Sequence, residues 1–154
     1  MFCYQCEQTA KGTGCTIQGV CGKPPEVAAL QDLLLYSLMG LSQVAVGARK
    51  AGISDRDVNV FTVKAAFSTL TNVDFDQDRF VELINQATAK RDGLKAKIQA
   101  AGGNGAWPEG AATFQPHSAV DELVGQGEQV GLKSYPGDDP DILSLKHTVL
   151  FGIK

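Results

Sequence analysis

The chain has 154 residues, 44% hydrophobic and 20% charged, with a formal net charge of −3. That length suits one domain or two small helical units around a hydrophobic core, in an ordinary globular composition. The acidic balance offers no basic surface for nucleic acid or an anionic membrane, and neither is expected as a partner.

All four cysteines fall within the first 21 residues, as Cys3, Cys6, Cys15 and Cys21 in the spacing C-x2-C-x8-C-x5-C. Gly12, Gly14, Gly19 and Gly22 are interleaved with them, and Pro24-Pro25 closes a ligand loop over residues 1–24. Cys3 sits where a charged leader followed by an apolar run would have to begin, so we expect no export signal and a cytoplasmic location. In that compartment four cysteines are expected as ligands, with disulfides the weaker alternative.

Pro25 is well placed to open a helix, and Glu26 suits the positive end of its dipole. The first helix is predicted to run to about Lys50, burying Val27, Leu30, Leu34, Leu38, Leu41 and Ala45. Its long apolar stretch, Val27 to Val46, is interrupted by Gln31, Asp32, Ser37, Ser42 and Gln43, as in a core helix and unlike a membrane span. Lys50-Ala51-Gly52 is a stop signal.

Ser54-Asp55-Arg56-Asp57 predicts a second helix over 55–71, with Val60, Val63, Phe67 and Leu70 inward. Asp74-Phe75-Asp76-Gln77 opens a third over 75–101, burying Phe80, Leu83, Ile84, Ala87, Leu94 and Ile98. An antiparallel three-helix bundle over residues 25–101 follows. A linker is expected over 102–117, a short helix between Ser118 and Val130, and a last helix from Pro140. The fold class is all-α.

Pro140 aligned on Pro25 brings Leu145 onto Leu30, Leu150-Phe151 onto Leu35-Tyr36 and Ile153 onto Leu38. Such repetition marks a duplicated supersecondary unit. Residues 118–154 are therefore expected to be the start of a second helical bundle that is cut off at Lys154.

Four thiolates on a glycine-rich loop point to one closed sulfur site, filled by a [4Fe-4S] cluster, a smaller [2Fe-2S] cluster or zinc. The spacing matches neither common ferredoxin run, nor a zinc ribbon with two facing C-x2-C knuckles. Lys11 and Lys23 supply positive charge near a site that would be anionic. Phe2 and Tyr4 flank the first knuckle, where they would shield it from water. His117 and His147 are expected to be surface or interface residues, and Asp74, Asp76 and Asp78 to be capping groups without the glycine and terminal glutamate of a calcium loop. Gly102-Gly103-Asn104-Gly105 lacks the strand and the Lys-Ser/Thr pair of a phosphate loop.

The runs Met1 to Lys11, Thr13 to Thr16 and Gly19 to Pro24 resemble the N-terminus of the hybrid-cluster proteins, also called prismane proteins or hydroxylamine reductases. The resemblance continues through Leu30 to Leu34 and Phe67 to Asn72, resumes from Ser144 through Lys154, and so covers nearly the whole chain, weakest between residues 100 and 138. It implies that Cys3, Cys6, Cys15 and Cys21 ligate one cubane [4Fe-4S] cluster. The short spacers are similar to the anaerobe-type branch, whereas longer ones accompany a [2Fe-2S] cluster. It implies a first domain of two three-helix bundles, followed by α/β domains holding a hybrid iron–sulfur–oxygen cluster. Hydroxylamine, or nitric oxide, is thought to be reduced there.

The ligands of that hybrid cluster have no counterpart here, so no catalytic residue is assigned. The expected role is an iron–sulfur electron-transfer domain, with the remainder of the parent polypeptide and a soluble electron donor as partners. The alternatives are a stand-alone iron–sulfur electron carrier and a structural zinc-binding helical module.

Overall fold

A computed structural model of the chain describes residues 3, 15, 17–70, 73–103, 105–131, 137 and 139–154. Five α-helices follow one another: α1 (Pro25–Lys50), α2 (Arg56–Ser68), α3 (Gln77–Ala100), α4 (Val120–Gln129) and α5 (Pro140–Ile153). Among the described residues the only β pairing is an isolated antiparallel bridge between Cys3 and Cys15. The all-α expectation holds.

Local chemistry sets the helix ends. Pro25 and Pro140 open α1 and α5 in their first turns, where a missing N–H is harmless. The side chains of Asp55, Asp76 and Asp139 cap α2, α3 and α5, each accepting from the two amides at the second and third helical positions. The cap by Asp76, with Asp74 Oδ1 accepting from Asp76 N at 3.3 Å, explains the acidic run there. The two long helices share one ending. Gly52 and Gly102 take left-handed φ of 75° and 77°. The following amides, of Ile53 and Gly103, return to the carbonyls of Ala48 and Ile98 at 2.9 Å.

Helix α1 is the centre of the molecule. Val27, Leu30, Leu33, Leu34, Leu38, Leu41 and Val44 are buried against Phe80, Leu83, Ile84, Ala87, Leu94 and Ile98 of α3. By length and composition α1 could cross a membrane, but 78% of its most apolar window is buried inside this fold, which accounts for its hydropathy as a core helix.

One expected face is corrected. Helix α2 does not bury Val60, Val63 and Phe67, which are exposed, and Leu70 is only half-buried. Val58, Ala65 and Ala66 are buried instead, with Phe61 packed at the edge of the core. Both sets recur at helical spacing, so periodicity alone could not separate them. The stripe that carries the two alanines faces the core, and Val60, Val63 and Phe67 are turned out.

The segment after α3 returns to the same core. Buried Arg91 of α3 donates through Nη1 to the carbonyls of Ala111 (3.3 Å) and Phe114 (2.5 Å), and through Nε and Nη2 to the Asp92 carboxylate. Ala112 and Leu123 are fully buried in the cluster around α1. Helix α4 lies so near α1 that a Cβ at Gly127 would be 2.1 Å from the Ala29 carbonyl oxygen. Helix α5 buries no residue. It borders a groove of about 810 Å³ against α1, α2 and residues 129–131, with Tyr36, Met39, Val46, Leu150 and Phe151 in its lining.

Candidate metal centre

The paired backbone brings two of the four cysteines together. Cys15 N donates to Cys3 O at 2.7 Å and Cys3 N to Cys15 O at 3.3 Å. Residues that exchange both bonds lie directly opposite one another, with their side chains on the same face of the pair. Both cysteines are buried, each 7% exposed, and their floor is fully buried Ala28 in the first turn of α1. No disulfide joins the described cysteines.

Cys21 is half-buried in a tight turn, in which Gly22 N donates to Gly19 O at 2.8 Å and Gly22 adopts φ 88°. Gly19 N reaches on to Lys23 O at 3.1 Å, and a Cβ at Gly19 would stand 3.0 Å from the Lys23 amide nitrogen. A side chain at position 19 would crowd the Lys23 backbone, so glycine suits this reversal of the loop. Cys6 lies outside the described residues, as do Phe2, Tyr4 and Lys11. Among the described residues no three His, Cys, Asp or Glu side chains gather closely enough to hold a metal ion, so Cys21 is not drawn into one cluster with Cys3 and Cys15.

Lys23 follows Cys21 by two residues and is 1% exposed. Its Nζ donates to Gln31 Oε1 at 2.5 Å, and Gln31 is itself fully buried, with its Nε2 unpartnered among the described residues. Gln31 lies one helical turn after Ala28, on the side of α1 that floors the cysteines. Two buried thiols on one face, and a third in the turn that leads directly to a buried lysine, suit a thiolate-ligated group, whose negative charge needs compensation.

The histidines stand apart from this site. His117 is exposed, with Nδ1 3.5 Å from Glu122 Oε2. His147 lines the groove beside α5, its ring 6.3 Å from that of Phe151. Sequence reading singled out Lys23 for its charge but treated Gln31 only as a break in an apolar run. Its position on the stripe of Val27, Leu30 and Leu34 was the available signal for a buried polar role.

The whole chain, residues 1–154, matches the Prismane/CO dehydrogenase family. The chain belongs to that family. Among its relatives, the hydroxylamine reductase of Syntrophobacter fumaroxidans is 60% identical over 154 residues, covering 100% of this chain and 28% of that protein. The hydroxylamine reductase of Methanocella arvoryzae is 56% identical over 155 residues, with the same coverage of each. That of Trichormus variabilis is 46% identical over 156 residues, again covering 100% of this chain and 28% of the relative. This prismane-family chain thus spans a little over a quarter of the length of those relatives.

Proposed function

We propose that this prismane-family chain is the iron–sulfur electron-transfer domain of a hybrid-cluster oxidoreductase, in which Cys3, Cys6, Cys15 and Cys21 together ligate one [4Fe-4S] cluster. The observation that carries the reading is the joint burial of Cys3 and Cys15 on one face of their bridge. When bound, such a cluster supplies one-electron transfer at a potential tuned by burial and hydrogen bonding.

The chain's own residues bind and shield. The bridge holds two ligands in register, Ala28 closes the floor, and the Gly19–Gly22 turn presents a third ligand nearer the surface. Ile17, at the start of the described loop, and Val20, within the Gly19–Gly22 turn, are both exposed and apolar. The soluble electron donor would dock at this end, in the cytoplasm. The parent reaction, reduction of hydroxylamine or nitric oxide, would take place at a hybrid cluster in the remainder of the polypeptide. The exposed apolar side chains of α2 and α5 are suited to meet that remainder.

The test is iron and acid-labile sulfide per chain in protein purified without oxygen. About four of each is the expected result. About two of each would replace the cubane by the smaller cluster. Zinc without sulfide would overturn the electron-transfer reading and make the loop a structural module.

A further inference from the structure

Lys23 poses an electrostatic problem. Its ammonium group is withdrawn from water and, among the described residues, has one acceptor, the neutral Gln31 oxygen, and no carboxylate within salt-bridge reach. A buried charge is ordinarily paired. Asp32, the buried carboxylate next along α1, packs toward Gly131 on the side of the α5 groove. What Lys23 does adjoin is the turn that carries Cys21, through the bond from Gly19 N to its carbonyl, and Gln31 adds a buried donor, Nε2, that has no partner among the described residues.

We propose that Lys23 and Gln31 are a built counter-charge for the cysteine site. Lys23 offsets the negative charge of the thiolate-bound group, and Gln31 holds the ammonium in place while offering its Nε2 donor to a sulfur of that group. Both are positioning residues that set the potential at which the group takes up an electron, because added negative charge is easier to accept beside a fixed cation in a medium of low dielectric. The proposal rests on the reading that the four cysteines hold an iron–sulfur cluster.

The experiment is a redox titration, followed by electron paramagnetic resonance, of the anaerobically reconstituted chain and three variants. Lys23→Met removes the charge at similar length. Gln31→Glu keeps the shape but neutralises Lys23 and deletes the donor. Lys50→Met removes an exposed cation at the far end of α1, which is about 39 Å long.

Lys23→Met and Gln31→Glu are expected to favour the oxidised form at least tenfold, a midpoint more negative by about 59 mV for one electron. Lys50→Met is expected to leave the midpoint unmoved. Wild-type midpoints in both site variants would overturn the proposal. So would loss of iron from both, because the pair would then serve to build the loop. If only Lys23→Met fails to hold iron, the midpoint of Gln31→Glu decides. A wild-type chain that takes up no iron and sulfide would overturn the cluster reading itself, before any variant is compared, and this proposal with it.

Discussion

Cys3 and Cys15 are held opposite each other by two backbone hydrogen bonds, at 2.7 and 3.3 Å, so their register does not depend on what their sulfurs bind. The twelve-residue step from Cys3 to Cys15 is thus closed by main chain. Serine at position 15 keeps the amide and carbonyl of the bridge and removes one soft ligand. Cys15→Ser is expected to cut iron and sulfide content at least several-fold while leaving the thermal melt of the metal-free chain unchanged. Metal analysis and circular dichroism on the same sample check both halves.

The approach of α4 to α1 sets a second expectation. A methyl group at Gly127 would fall 2.1 Å from the Ala29 carbonyl oxygen, a contact no side-chain rotation can relieve. Gly127→Ala is expected to cost about 1–3 kcal/mol or more, the range of overpacking, measured as a lowered urea midpoint. An unchanged midpoint would show that α4 is not docked there.

Arg91 is the pin between α3 and the segment leading to α4. Burial pushes the Asp92 carboxyl up, but the hydrogen bond and charge of Arg91, aided by Lys95, outweigh it and hold Asp92 below its usual value. Arg91→Met would leave the Ala111 and Phe114 carbonyls without this donor. A loss of about 2–4 kcal/mol is expected, from unsatisfied buried acceptors and a broken charge-assisted network. Arg91→Lys is expected to recover only part of it, because one ammonium cannot reproduce the planar fork. Chemical denaturation of the three proteins checks the order.

Acid should find the Asp55–Lys97 pair. Lys97 Nζ donates to Asp55 Oδ2 at 2.7 Å, while Oδ1 accepts from the amides of Asp57 and Val58. The Lys97 hydrogen bond, then the Val58 amide, hold this carboxyl below its ordinary value. A carboxylate with a depressed folded-state value contributes stability above the unfolded value, about 3.9, and loses it as pH falls through the folded one. Asp55→Asn keeps a good cap but loses the charge. It is expected to be less stable by under about 1 kcal/mol at neutral pH, since Lys97 is largely exposed. The gap should close below about pH 4; a gap that widens on acidification would contradict it.

The face of α2 can be checked by a paired substitution. Val63 is 70% exposed and Val58 4%. Val63→Lys is expected to change stability by less than about 0.5 kcal/mol, whereas Val58→Ala should cost about 1–3 kcal/mol as a buried truncation. Equal losses would mean that both stripes of α2 are packed.

Read by itself, the sequence determined what depends on neighbours within a turn or two. The helix starts at Pro25, Asp55, Asp76 and Pro140, the stops at Gly52 and Gly102, and the inward faces of α1 and α3 were legible because caps, prolines and a single dominant apolar stripe act locally. The concentration of four thiols in one short loop was equally plain. Tertiary structure decided which surfaces meet. Helix α2 carries two apolar stripes of the same period, and only the partner surface selects between them. Helix α4 joins the α1 core through a glycine whose value lies in the atoms across from it. The pairing of Cys3 with Cys15, and the burial of Lys23 against Gln31, join residues whose separation along the chain carries no periodic signal. Hydrogen bonds and burial between such residues exist only once the chain has folded back on itself.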